Sequence, residues 1–142
     1  MVSACIGIAD AVVAALNTPG VFSLPFTAVR AYDPEYPREE MKVLHVTVVP
    51  ANDVAERLDR HQWQDDVTVD IAVQQAYEKP DKETLDPLMA LVQEIKFYFG
   101  RERRLPDAIL VRMANVPIYA PEHMGDLRTF TSVLSLTFRT TW

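Results

Sequence analysis

The sequence predicts an α+β fold: a two-layer sandwich in which an antiparallel sheet of about four to five strands is covered on one face by two helices. Three observations carry this expectation. The stretch "RTFTSVLSLTFRTTW" at 128–142 alternates apolar Phe130, Leu134, Leu136 and Phe138 with polar Thr129, Thr131, Ser135, Thr137 and Arg139. "DDVTVDIAVQQ" at 65–75 alternates in the same way, Val67, Val69, Ile71 and Val73 against Asp66, Thr68, Asp70 and Gln74. A period of two with one polar face marks a strand covered on one side only. Two further segments place apolar residues three and four apart, so each forms a helix with one apolar stripe. Stripes and sheet face bury one another.

The elements follow in the order α-β-β-β-α-(β)-β. In residues 3–17, Cys5, Ile8, Ala9, Val12, Val13 and Leu16 line one side of a helix, and Asn17 with Thr18-Pro19-Gly20 stops it. Cys5 is expected to be a small buried hydrophobe on that stripe. Residues 26–32, "FTAVRAY", predict a strand, and the acidic, proline-bearing "DPEYPREE" predicts a loop. Residues 42–49, "KVLHVTVV", form a strand with Leu44, Val46 and Val48 on one face and His45 and Thr47 on the other; Pro50 ends it. The charged stretch 51–64, "ANDVAERLDRHQWQ", has little pattern and reads as an extended loop, holding a helical turn or a hairpin tip. The second helix spans 84–99, with Leu85, Leu88, Met89, Val92, Ile95 and Phe99 on its apolar face. Pro87 suits its first turn and Gly100 its C′ position. The basic loop "RERR" at 101–104, a strand near 108–114 and a proline-rich crossing lead to the last strand. That strand, fully extended, reaches about 50 Å. A compact domain of this size is only about 37 Å across. Its end near Thr140 to Trp142 is therefore expected to project beyond the body.

Length and composition set the outer limits. One domain over residues 1–142 suits this length, and 49% hydrophobic with 24% charged residues is ordinary globular usage. The single cysteine excludes an internal disulfide and any multi-cysteine metal site. The opening "MVSACIGIADAVVAAL" lacks a basic n-region and is interrupted by Asp10, so no secretory leader is expected. No apolar run approaches the ~18 residues a membrane span requires. The expectation is a soluble protein made in a reducing cytoplasm, with no membrane partner. A net charge of −6 argues against a protein that grips nucleic acid, but not against a surface past which DNA slides.

The residues offer no reaction centre. His45, His61 and His123 stand in unrelated segments and form no metal-ligand spacing. There is no Gly-x-Ser-x-Gly elbow, and four glycines leave little room for a phosphate loop. Asp65-Asp66 and Glu39-Glu40 read as solvated charge flanking strands and turns. No catalytic, cofactor-binding or metal-ligating residue is expected. The interaction candidates are Tyr32 and Tyr36 in the "YDPEYP" loop, the basic tip Arg101, Arg103 and Arg104, and Arg139 and Trp142 on the last strand. Long strands with polar faces need protection at their edges unless assembly uses them.

The order of elements resembles a known group. "IADAVVAALN" leads to "FTAVRAYDP", a valine-rich strand ending "VVP", "VTVDIAVQQ", the helix "LDPLMALVQEI" and the ending "PIYAPEHMGDLRTFTSVLSLTFRTTW". This pattern is similar to the small neck and tail-completion proteins of tailed bacteriophages, above all the tail terminators. The resemblance implies a structural virion protein of the head–tail junction, made in the host cytoplasm and placed at the top of the tail. It implies a homo-oligomeric ring, usually hexameric, that caps the tail tube protein, joins it to a head-completion or connector protein, and passes genomic DNA through its lumen without specific binding. It implies no cofactor. Two alternatives stay open: a head-completion stopper that binds the connector, and a small-ligand or enzymatic α+β domain, which would show a deep polar pocket near His45 or Asp70. On the ring reading, reversing Arg101, Arg103 and Arg104 together to Glu is expected to block assembly and leave the monomer folded. Light scattering with circular dichroism checks this, and unchanged assembly would remove the basic tip from the interface.

Overall fold

The computed structural model describes residues 3–34, 36–37, 39–101, 104–116, 118–121 and 128–142. Arg103 and His123 lie outside these. Two helices, α1 (Ala4–Leu16) and α2 (Lys82–Arg101), accompany six strands: β1 (Ala28–Arg30), β2 (His45–Arg57), β3 (Trp63–Ala76), β4 (Arg104–Leu105), β5 (Ala108–Ala114) and β6 (Thr129–Thr141). They form one sheet in the order β1-β2-β3-β6-β5-β4. The expected α+β class holds.

The two cleanest alternating strands form the centre of the sheet. β3 and β6 pair antiparallel from Gln64 opposite Thr141 to Ala76 opposite Thr129. Side chains directly opposite share a face. Val67, Val69 and Ile71 therefore lie beside Phe138, Leu136 and Leu134, and all six are buried. Val46 and Val48 of β2 continue that face opposite Val73 and Ile71. They join one core with Ile8, Ala9, Val12 and Leu16 of α1 and Leu88, Leu91, Val92, Ile95 and Phe99 of α2. The apolar middle of the last strand, Phe130 to Phe138, is thus buried as expected.

Several local expectations change. β1 pairs parallel to β2, so the sheet is mixed, with short strands added at both ends. Parallel neighbours need a crossover, and residues 31–44, including a 3₁₀ turn at Glu40–Lys42, supply it. The segment 51–57 is strand, not loop: β2 runs on to Arg57 with its partner Trp63, past an irregularity between Pro50 and Asn52. Pairing with β3 sets this conformation, since the residues have little strand propensity of their own. α2 begins earlier than its apolar stripe. Asp81 accepts a 2.9 Å hydrogen bond from the Thr84 amide as its cap, which places Pro87 inside the helix instead of in its first turn. The helix also runs through Arg101, so Gly100 lies within it. A Cβ there would sit 3.3 Å from Met113 Cε, so glycine allows α2 to approach β5. Cys5 is half-buried, its thiol 3.7 Å from Asp53 Oδ2. Burial, and then the Asp53 carboxylate, push that thiol's pKa up.

Candidate functional site

The first turn of α1 lies over β2 at Asp53, where Cys5 meets it. Beyond that level the sheet continues as a three-stranded arm built from residues 53–57, 63–67 and 138–142. Every residue from 51 to 63 is exposed. The tip is a constructed turn. Asp59 Oδ1 accepts from the amides of His61 and Gln62 at 2.7 and 2.9 Å, and the Leu58 amide donates to the Gln62 carbonyl at 2.9 Å. Arg57 Nε donates to the Asp59 carbonyl at 3.0 Å.

The base of this turn carries two tryptophans. Trp63 and Trp142 exchange both backbone hydrogen bonds, at 2.7 and 2.9 Å. Their rings stack with centroids 5.9 Å apart and planes 12° from parallel. By register they continue the apolar face of Val67 and Phe138, but past the helices. Trp142 keeps 65% of its surface exposed and Trp63 37%; Val54 and Leu58 nearby keep 63% and 48%. Trp142 is thus exposed at the strand end and has Trp63 as its partner within the chain. Asp65, between Trp63 and Val67 on β3, is buried, and its Oδ1 has no hydrogen-bond partner among the described residues.

The opposite face of the paired strands β3 and β6 is polar and internally paired. Thr68 and Thr137 share a 3.0 Å hydrogen bond, Ser135 Oγ donates to Asp70 at 2.6 Å, and Arg139 donates twice to Asp66 at 2.9 and 3.2 Å. Arg139 is thus engaged across the sheet. Its hydrogen bond is the main cause that holds the Asp66 pKa below its ordinary value. A depressed carboxylate pKa stabilises the fold above the unfolded value of about 3.9 and loses that effect as pH falls through the folded value. Asp66→Asn is therefore expected to lower the melting temperature slightly near pH 7, with the difference from wild type closing below about pH 4. Parallel thermal melts across pH 2.5–7 check this; a gap that persists at the acid end would contradict it.

The remaining interaction candidates divide. Tyr32 is exposed, with the Arg30 guanidinium 5.7 Å from its ring centroid. Tyr36 is half-buried and used inside the chain: its hydroxyl bonds Thr47 Oγ1 at 2.7 Å and its ring stacks on His45 at 4.0 Å. It fastens the 31–44 crossover to the polar face. His45 in turn meets the Glu40 carbonyl at 2.7 Å. The basic tip is not a single loop, because Arg101 ends α2 and Arg104 opens β4 opposite Ile109. Arg101 borders a surface cleft of about 350 Å³ with Val21, Phe22, Glu94, Phe97 and Tyr98. A cavity of about 430 Å³ lies within the 16–26 turn, lined by neither His45 nor Asp70.

Among the described residues no three His, Cys, Asp or Glu side chains are grouped to hold a metal ion, and no helix is long and apolar enough to cross a membrane. No protein-family model matches the chain, and no curated protein matches it.

Sequence reasoning missed the arm as a site. Its signals were the Asp59 turn residue and the two tryptophans, Trp63 and Trp142. A strand exposed on both faces has no alternation to reveal it.

Proposed function

We propose that this chain is a structural virion protein of the head–tail junction of a tailed bacteriophage, a tail terminator whose copies close into a ring, hexameric by the resemblance of its pattern. The ring caps the tail tube, joins it to the head connector and passes DNA through its lumen.

The observation that carries the assembly part of this reading is the arm. Its two strands with a third beside them extend past the helices, with the Trp63–Trp142 stack, Val54 and Leu58 exposed at its end. A two-stranded hairpin is marginal in water by itself, and large exposed aromatics mark protein contacts. An arm with this composition is suited to lie on a neighbouring copy. The net charge of −6 favours a lumen that does not hold DNA. The phage assignment adds the resemblance of element order and of the final strand.

The partner test is a capture experiment with immobilised tail tube protein and, separately, connector protein from one phage particle. Retention by the tube protein is expected. Retention by the connector alone would replace the terminator with a stopper, and retention by neither would contradict a neck role.

A further inference from the structure

The sheet has two open edges, and they match each other. On one side β1 covers β2 only at residues 46–48, and Tyr32 flanks the strand near residues 50–52. From 53 to 57 no strand lies beside it among the described residues. On the other side β4 covers β5 only at Ala108 and Ile109, and among the described residues no strand lies beside 110–114 on that side. Unpaired N–H and C=O groups along such edges are templates for strand addition. The two edges differ in charge. Residues 53–57 carry Asp53 and Glu56 with one base, Arg57, while β5 carries Arg112 with no acid. Arg112 is exposed and forms no ion pair among the described residues.

We infer that copies of this chain join edge to edge, the outer half of β2 in one copy pairing antiparallel with β5 of the next, with Glu56 opposite Arg112. The inference rests on the self-assembly reading and names its interface. Direction follows from the fold: β2 and β5 are antiparallel within one copy, through β3 and β6, so a sheet that continues without turning over pairs them antiparallel. Register follows from faces. Arg112 lies on the polar face, level with Thr137, Thr68 and Asn52 of its own copy. Paired residues must share a face, which restricts its partner on β2 to Asn52, Val54 or Glu56. Asn52 lies where Tyr32 borders the strand. Val54 would place Ile109 opposite Glu56, but β4 already occupies Ile109. Glu56 keeps the pairing on open residues, sets Ala114 against Val54 and Met113 against Ala55, and joins opposite charges.

Ring closure supplies a further argument. In this register Arg112 is level with Asn52 in its own copy and with Glu56 in the neighbour, a stagger of four residues. Each copy contributes four strands to the continuous sheet: β2, β3, β6 and β5. Stagger and strand number are then equal. The eight-stranded barrel with shear 8 has the same ratio and a strand tilt of about 36°, within the ~35–45° usual for closed sheets. The ratio does not depend on how many copies close the ring.

The test uses the full chain with Cys5→Ser. Val54→Cys with Ala114→Cys is expected to form intermolecular disulfides under mild oxidation, seen as a ladder of linked chains on non-reducing gels. Ala55→Cys with Ala114→Cys, on opposite faces, is expected to give at least tenfold less product. Arg112→Glu, on an exposed residue, is expected to weaken assembly at least tenfold by light scattering. Assembled protein that gives no in-register ladder, or assembly unchanged in Arg112→Glu, would overturn the edge pairing while leaving a ring built through other surfaces. Monomer alone, with no ladder, at high concentration and with tube protein present would overturn both.

Discussion

Phe138→Ala is expected to cost about 3–5 kcal/mol of folding stability. Phe138 is fully buried on β6, with Val67 of β3 on one side and Leu110 of β5 on the other. It closes the apolar face just before the sheet leaves the helices. Truncation removes a ring that the fixed β3 and β5 backbones cannot collapse to replace, so most of the cavity persists. A domain of this kind has only about 5–15 kcal/mol to lose. Urea unfolding of the two proteins measures the difference. Phe97→Ala, on the exposed side of α2, serves as the contrast and should change stability by about 0.5 kcal/mol or less. A loss below about 1 kcal/mol at Phe138 would mean that the β6 face is not buried as described.

Deleting residues 140–142 is expected to abolish self-assembly while the core still unfolds cooperatively. Among the described residues Thr140, Thr141 and Trp142 pair with the start of β3, and Trp142 is largely exposed. Within one copy the loss is the tryptophan stack, worth roughly 0.5–1.5 kcal/mol beyond its buried area, and the third strand of the arm. In an assembly the same deletion removes an aromatic anchor and loosens the strand that holds residues 51–57 in register. Thermal melts should show one transition shifted by a few degrees, and light scattering should show monomer. Unchanged assembly in the truncated protein would remove the strand end from the interface.

The sequence made the centre of the molecule legible because burial on one face writes a period into it. The alternation at 65–75 and 128–142 became β3 and β6, and the stripes Ile8-Val12-Leu16 and Leu88-Val92-Ile95-Phe99 became the two helix faces. Where burial is absent, the pattern is absent too. Residues 51–57 face water on both sides, so their pairing with β3 left no trace in hydropathy. The parallel β1 was hidden for another reason: three residues are too few for a period to show. Tyr36 looked available for a partner because nothing local reveals that His45 and Thr47 receive it. The order of strands, with β6 inserted between β3 and β5, depends on long-range pairing that no local window contains. Trp142 was legible as the end of a long strand, whereas the exposed edges of β2 and β5 needed the topology first.

The central claim is that this chain closes into a ring of its own copies. Negative-stain electron microscopy with light scattering, on the purified protein alone and with tail tube protein added, tests it directly. Rings of uniform diameter with six-fold views and a mass of six chains are the predicted result. A monodisperse monomer at high concentration in both samples would contradict it.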